Sequence, residues 1–424
     1  MDIDSLLQPR KRFGVHLGLE RIEKLLVNLG NPHHQVPIIH VAGTNGKGSV
    51  CAYLSSVLTQ AGYNTGRYIS PHLIDWEERI CLNERQISSE ELSNLLVEVQ
   101  QSINLQEESP TQFEVFTAAA WLYFARQKVD VAVVEVGLGG RLDATNVCAK
   151  PLVTIVTSIS RDHMQQLGST VRAIAKEKAG ILKSECPVVM GQLPLEAEQV
   201  VREYASQLQC RVIKPEPAKE TNDGLAYVQI GKEKSNSLKY SLPLKGEIQL
   251  INSALAIAAL EIMQQQGWQI SEKAIVEGIA KTKWPGRMQW SSWGGRKLLL
   301  DGAHNPAAAA ALRNYVDTLV AVKDPQLTVT WVMGMLSTKE HDKVFQSLLR
   351  ANDRLHLVPV PEHSSADERE LAQLAKNICP ELSICETHSD LSTALSTAFS
   401  SDNNLVVLCG SLYLIGHFLQ DKSS

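Results

Sequence analysis

A seven-residue loop, Gly43–Ser49 (G-T-N-G-K-G-S), stands between a run that reads as a β-strand, Val36–Ala42, and one that reads as a helix, Gly48–Ala61, closed by Gly62. No other feature limits the fold as much. Glycines let the backbone curl so that several N–H groups converge on one anion. The helix that follows points its positive end at the same place. Lys47 is spaced to reach the β- and γ-phosphates of a nucleotide, and Thr44 or Ser49 offers a hydroxyl to phosphate or magnesium. The loop departs from the common G-x-x-x-x-G-K-[ST] pattern: Val41 stands where a glycine belongs, and Gly48 separates Lys47 from Ser49. Taken alone, it is also open to the reading of a glycine-rich turn with no ligand.

The rest of the chain supplies the setting. Strands are expected at Asn64–Ile69, Val129–Val136, Leu152–Thr157 and Pro187–Met190, and helices at 89–105, 112–127 and Ser169–Leu182. Strands alternating with helices imply parallel β-α-β units with both sheet faces covered. The polar stretch 215–245 suggests hairpins, and 249–281 returns to helix around the alanine-rich Asn252–Ile262. Lys283-Trp284-Pro285-Gly286 then breaks the pattern. Beyond it, strands are expected at Lys297–Leu300, Leu327–Val332, Arg354–Val358 and Asn404–Leu408, with helices near 306–320, 340–350, 366–377 and 389–399. The fold class expected is α/β: a mostly parallel sheet domain carrying the phosphate loop, residues 1–284, and a smaller C-terminal α/β domain, residues 285–424, joined by a linker at about 282–287.

Charge and composition remove several function classes. The formal net charge is -5, from 41 basic and 46 acidic residues, which argues against nucleic acid as a partner. No run approaches about 18 apolar residues, so no transmembrane helix is expected, and the N-terminus lacks the apolar segment of a signal peptide. The eight cysteines are scattered without a C-x-x-C pair, which suggests reduced, mostly buried thiols rather than disulfides or zinc. A cytoplasmic protein acting on small molecules, without a membrane partner and as a monomer, is expected.

Glu135 lies in an apolar strand, where an unpaired carboxylate is costly. It either reaches solvent or a lysine at the strand end, or helps to hold Mg²⁺, which favours one or two protein oxygens beside phosphates and waters. His163 beside Asp162 reads on its own as a hydrogen-bonded structural residue. Lys178, flanked by Lys176 and Glu177, reads as a solvated or salt-bridged helix lysine, and Asp301–Pro306 (D-G-A-H-N-P) as a turn capping the next helix.

The loop's variant form resembles the phosphate loop of the Mur ligase superfamily, and more narrowly that of the folylpolyglutamate synthase/dihydrofolate synthase family. Five further segments carry the same resemblance in order along the chain: Ser70-Pro71-His72-Leu73, Glu135–Asn146 (E-V-G-L-G-G-R-L-D-A-T-N), Asp162–Lys183, Asp301–Pro306 and Gly410–Leu414 (G-S-L-Y-L). The resemblance implies a Mur-ligase-like central domain and site roles for named residues. Gly43, Thr44, Asn45, Gly46, Lys47, Gly48 and Ser49, with Asn252, Arg287, Asp301 and Ser411, would bind ATP. Ser70, Glu135 and His163 would hold Mg²⁺. Lys178 would be carbamylated, which needs a neutral amine and hence a depressed pKa. Lys47, Lys178 and His304 would serve the chemistry. His16, Leu17 and Gly18 (in H-L-G-L-E-R), Phe113 and Glu114, and Leu142, Asp143 and Ala144 would contact the pterin-bearing substrate.

The reaction so implied is ATP-dependent amide ligation. A carboxylate attacks the γ-phosphate of ATP to give an acyl phosphate and ADP, and the amine of L-glutamate then displaces phosphate. The acid would be dihydropteroate, the γ-carboxylate of a folate, or both. Closure of two domains would exclude water from the acyl phosphate. A monofunctional folylpolyglutamate synthase and a cell-wall Mur-type ligase are the alternatives within enzymes. A GTPase switch would need an [NT]-K-x-D motif, and Thr338-Lys339-Glu340-His341 ends in histidine. Two segments depart from the family's habit: Gly334–His341 (G-M-L-S-T-K-E-H), where an aspartate-lysine-aspartate is common, and Pro361–Ala366, which lacks a frequent arginine.

Overall fold

Short valine- and isoleucine-rich runs bounded by glycine and polar turns form the centre of the first sheet, as expected for parallel strands buried on both faces. The structure, a computed structural model, describes residues 3–11, 17–104, 106, 108–231, 236–323, 327–400 and 403–423. Its strands in chain order are β1 (Ile38–Ala42), β2 (Thr65–Tyr68), β3 (Ile80–Leu82), β4 (Arg85–Gln86), β5 (Val131–Glu135), β6 (Val153–Val156), β7 (Val188–Met190) and β8 (Val212–Ile213). Next come β9 (Lys219–Glu220), β10 (Ala226–Ile230) and β11 (Asn236–Tyr240), then β12 (Gln289–Trp293), β13 (Arg296–Leu300), β14 (Thr328–Met333), β15 (Arg354–Leu357), β16 (Ile384–Thr387) and β17 (Asn404–Cys409). The chain divides into two compact units, one of residues 1–243 and 249–283, the other of residues 244–248 and 284–424.

In the first unit the order β4-β3-β2-β5-β1-β6-β7-β8 makes one sheet. All neighbours from β2 to β8 run parallel, and the hairpin β3-β4 adds an antiparallel edge. β1 lies between β5 and β6, with Val41 opposite Glu135 and Ala42 opposite Val156. A core of Ile22, Leu26, Leu96, Phe116, Trp121 and Val134 forms one apolar cluster, and Val156, Ile174, Ile181, Val188 and Val200 belong to another. Helix starts are written locally. The helix Gln112–Arg126 begins with a capping box of Thr111 and Glu114, Ser89–Gln101 with one of Ser88 and Glu91, and Val171–Ala179 with Thr170 accepting from Ala173 N.

The expected single helical stretch at 249–281 is two helices, Ile248–Gln265 and Glu272–Lys281. Gly267, at φ +99°, takes the left-handed turn after the first, and Ser271 caps the second. The hairpins expected at 215–245 are the antiparallel strands β9, β10 and β11, with 232–235 outside the described residues, as is residue 105 of the expected helix 89–105.

The second unit holds a sheet of order β12-β13-β17-β14-β15-β16, parallel from β13 to β16. Its core gathers Leu299, Leu312, Trp331, Phe345, Leu355, Leu371 and Val407. β12 and β16 were not expected from the sequence. Their residues are only partly buried, so they lack the continuous apolar signal of inner strands. All eight cysteines are unpaired. Among the described residues no helix is long and apolar enough to cross a membrane.

Candidate active site at the carboxyl edge of the first sheet

Open parallel sheets present their ligands at the carboxyl ends of the strands. Here the ends of β2, β5, β1 and β6, four neighbouring strands, lead into Ser70, Glu135, the Gly43–Ser49 loop and the segment 157–163. The helix Lys47–Gln60 leaves the loop directly. Gly46, its N-cap, sits at φ +88°, and no side chain caps the helix, so the first-turn N–H groups are left for an anion.

The loop is held by residues that the sequence did not single out. Thr44 N donates to Ser158 O at 2.8 Å and Asn45 N to Ser158 Oγ at 2.9 Å. Thr157 Oγ1 and Ser158 Oγ donate back to Asn45 O at 2.7 and 2.9 Å. A Cβ on Gly43 would lie 1.9 Å from Thr157 Oγ1, so only glycine allows this approach. Of the two hydroxyls expected at phosphate, that of Thr44 frames the loop, donating to Ser160 O and accepting from Ser160 N, both at 3.1 Å. Ser49 Oγ accepts from Gln249 Nε2 at 3.3 Å. The same amide accepts from Tyr53 OH and from Asn252 Nδ2 through Oε1. Gln249 is thus a positioning residue that no local pattern marked. Asn252 stands against the loop: a Cβ on Gly46 would lie 2.5 Å from its Oδ1.

Lys47 Nζ lies 3.3 Å from Thr44 O and 3.7 Å from Glu135 Oε1. The buried carboxylate of Glu135 therefore has its compensating charge in the phosphate-loop lysine. Lys178 is 5% exposed, and its Nζ lies 2.8 Å from Gly43 O. Burial, and next the positive charge of Lys47, push its amine down to about 7, against the opposing pull of Asp162 and Asp143. The expectation of a solvated helix lysine fails here.

The expected metal ligands differ in setting. Among the described residues Ser70 Oγ is buried without a hydrogen-bond partner, and Glu135 lies at the end of the adjoining strand. An orphaned hydroxyl beside a carboxylate suits a hard cation with oxygen ligands. His163 adopts left-handed backbone (φ 51°), with its side chain half exposed and Nε2 3.9 Å from Asp162 Oδ1.

The first expected substrate segment meets each of the other two. Gly18 N donates to Leu142 O at 3.3 Å. Arg21 donates through Nε to Glu114 Oε2 at 3.1 Å, with a second nitrogen 3.1 Å from Oε1. Leu17 adjoins Gly18; His16 lies outside the described residues. The carboxylate of Glu114 also accepts from Thr111 N, so it is spent on the helix cap and on Arg21 rather than presented to solvent. Asp143 is likewise internal. It accepts from Leu138 N, Thr145 N and Thr145 Oγ1, while burial raises its pKa. Ala144 is buried beside it. Phe113 packs over Gly137, where a Cβ would lie 2.4 Å from its Cζ.

In the second unit, Asp301 follows β13 and accepts from Met288 N and Ala303 N at 2.9 and 2.8 Å. Burial raises its pKa, while the charge of Arg287 and the hydrogen bonds from Met288 N and Ala303 N pull it down. His304 Nδ1 pairs with Gly302 O at 2.8 Å. Asn305 Oδ1 accepts from Ala308 N at the start of the helix Pro306–Lys323, so the capping role holds as well. Ser411 follows β17, the strand beside β13, and is buried. The two unusual segments of this unit touch. Leu336 bridges Ser365, and Ser337 N donates to Ser364 O at 2.9 Å.

The chain is similar to known proteins over nearly its whole length. Residues 41–260 match the model of the Mur ligase middle domain, and residues 290–421 that of the dihydrofolate synthetase C-terminal domain. A probable dihydrofolate synthetase of Schizosaccharomyces pombe is 35% identical over 421 residues, covering 95% of this chain and 97% of its own. The dihydrofolate synthase/folylpolyglutamate synthase of Bacillus subtilis is 34% identical, covering 98% and 97%. The chain belongs to the dihydrofolate synthase/folylpolyglutamate synthase family. A solved bifunctional folylpolyglutamate synthase/dihydrofolate synthase with Mn, AMPPNP and L-glutamate bound superposes with a TM-score of 0.86 at 31% identity, covering 100% of this chain and 98% of that one. Family membership makes the chain a ligase, in agreement with the resemblance carried by its motifs.

Proposed function

We propose that this protein is an ATP-dependent amide ligase that joins L-glutamate to dihydropteroate and also to the γ-carboxylate of a tetrahydrofolate. The observation that carries this reading is the convergence of Gly18, Arg21, Glu114 and Leu142 in the unit that also carries the phosphate loop, Lys47 and Glu135. One carboxylate oxygen of the acceptor attacks the γ-phosphorus and ADP leaves. The glutamate amine then attacks the acyl carbon, phosphate leaves, and the nitrogen loses a proton.

Catalysis here is positioning and charge neutralisation. The backbone of Gly43–Ser49 cradles the phosphates, and Lys47 moves from Glu135 to the transferring group. Ser70 and Glu135, with His163, would hold Mg²⁺, which when bound offsets phosphate charge. Asn252, Arg287, Asp301 and Ser411 are assigned to ATP, and His304 to the chemistry. The segments of Leu17 and Gly18, Phe113 and Glu114, and Leu142, Asp143 and Ala144 are assigned to the pterin-bearing acid. Residues 1–284 would then be the ATP- and pterin-binding domain and 285–424 its C-terminal partner, in a monomeric cytoplasmic enzyme.

The test is purified protein with ATP and labelled glutamate, given dihydropteroate in one arm and tetrahydrofolate in the other. Both arms are expected to release ADP in step with labelled product. Product in the tetrahydrofolate arm alone establishes the monofunctional alternative. ADP release indifferent to acceptor and glutamate overturns ligation.

A further inference from the structure

The second unit carries a side-chain cluster that the ligase chemistry leaves unused. β15 and β16 are parallel neighbours, and their register sets His356 opposite Glu386. His388 comes two residues after Glu386. Its N–H donates to Leu357 O at 2.9 Å and so continues the ladder past the end of β16. Residues two apart on extended backbone share a face. The sheet therefore delivers all three side chains to one face beside its edge strand.

Their ligating atoms are close. His356 Nδ1 lies 3.0 Å from His388 Nε2 and 3.8 Å from Glu386 Oε2, and His388 Nε2 lies 4.0 Å from the same oxygen. Around a tetrahedral zinc ion with bonds of about 2.0–2.1 Å, ligand atoms stand roughly 3.4 Å apart. The three separations bracket that value, so small rotamer adjustments suffice. Exposure is graded across the cluster: His356 is 1% exposed, while the Glu386 side chain is 53% exposed. One side is fixed in the core and the other opens to water, which gives an entry path and room for a fourth ligand. Burial, and next the proximity of His388, hold the His356 imidazole down to about 4.

We propose that His356, Glu386 and His388 form a binding site for one divalent ion of the zinc type, which clasps β16 to β15. Two imidazole nitrogens and one carboxylate oxygen suit zinc, whereas magnesium prefers oxygen ligands throughout. The competing account is a neutral histidine pair sharing one N–H, with Glu386 in water.

Metal-free, full-length protein is titrated calorimetrically with zinc in millimolar magnesium, which occupies oxygen-rich sites. Cobalt(II) serves in parallel as a probe of coordination geometry. Wild type is expected to bind one zinc, to give a tetrahedral cobalt spectrum, and to melt higher with zinc present. Glu386→Gln and His388→Ala are each expected to weaken zinc by at least about tenfold, since even outer-shell changes have effects of that size. Glu386 is half exposed, so its variant decides the matter even where His388→Ala fails to fold. Wild type that binds no zinc, or a folded Glu386→Gln that binds it unchanged, overturns the site.

Discussion

The Nζ of Lys178 lies 2.8 Å from the carbonyl oxygen of Gly43, the first residue of the phosphate loop. This contact ties the helix Val171–Ala179 to the loop and takes the lysine out of water. With Lys47 also near it, the amine is pushed down to about 7 from an ordinary 10.5. Two consequences follow from one side chain, one for stability and one for chemistry.

For stability, the folded protein sheds this proton before the unfolded chain does. Between about pH 7 and 10.5 the unfolded state binds more protons, so stability rises with pH, at most by about 1.4 kcal/mol per unit. Below pH 7 both states are protonated and the dependence vanishes. Urea unfolding in CO₂-free buffer, compared with Lys178→Met, isolates the effect. The wild type should gain on the variant from pH 7 to 9.5. A constant difference across that range would show that Lys178 titrates normally.

For chemistry, a neutral amine is the form that captures CO₂, and carbamylation would turn Lys178 into a carboxylate. Lys178→Ala is expected to lose most activity and to regain part of it with added acetate or formate. Native mass spectrometry in bicarbonate should show one carbamate, absent from the variant. Full activity of Lys178→Ala refutes the modification.

Gly46→Ala tests the loop. Gly46 sits at φ +88°, and an added Cβ would meet Asn252 Oδ1 at 2.5 Å. Backbone strain of roughly 1–2 kcal/mol joins a collision with a buried amide. Nucleotide affinity, read by calorimetry, is expected to fall by about tenfold or more. Adding Asn252→Ala should relieve the collision but not the strain, and should not restore wild-type affinity. An unaltered Kd in Gly46→Ala would mean that the loop does not grip phosphate through this backbone.

Arg21 and Glu114 form a pair with side-chain exposures of 10% and 3%. Removing one partner of a buried pair leaves a desolvated charge, at a cost of about 3–5 kcal/mol. Arg21→Ala should destabilise the first unit by about 3 kcal/mol in urea unfolding, and Arg21→Ala with Glu114→Gln by clearly less. An additive double variant would show that the pair carries no coupling.

What was legible in the sequence was local or continuous. The strand-loop-helix unit around Lys47 and the apolar run ending at Glu135 announce themselves within a few residues. β12 and β16 are half-exposed edge strands whose pattern resembles loop, and the grouping of His356, Glu386 and His388 stayed hidden with them. Thr157, Ser158 and Gln249 act on the loop across more than 100 residues of chain, through hydrogen bonds that have no sequence period. Lys178 looked solvated because its neighbours Lys176 and Glu177 are charged. Its burial is decided by the approach of Gly43, which helix pattern does not encode.

Ser70 separates a structural role from a metal-binding one. Its hydroxyl is buried with no hydrogen-bond partner among the described residues, a state that costs about 1–3 kcal/mol. A residue kept for folding would gain from losing that group. Ser70→Ala should therefore be at least as stable as wild type in urea, yet need a higher magnesium concentration for half-maximal ligation. Glu135→Gln should raise the magnesium requirement too. It should also lose stability, because it breaks the ion pair with Lys47. The opposite pattern for Ser70→Ala, lower stability with an unchanged magnesium requirement, would assign the hydroxyl to the fold and remove it from the metal site.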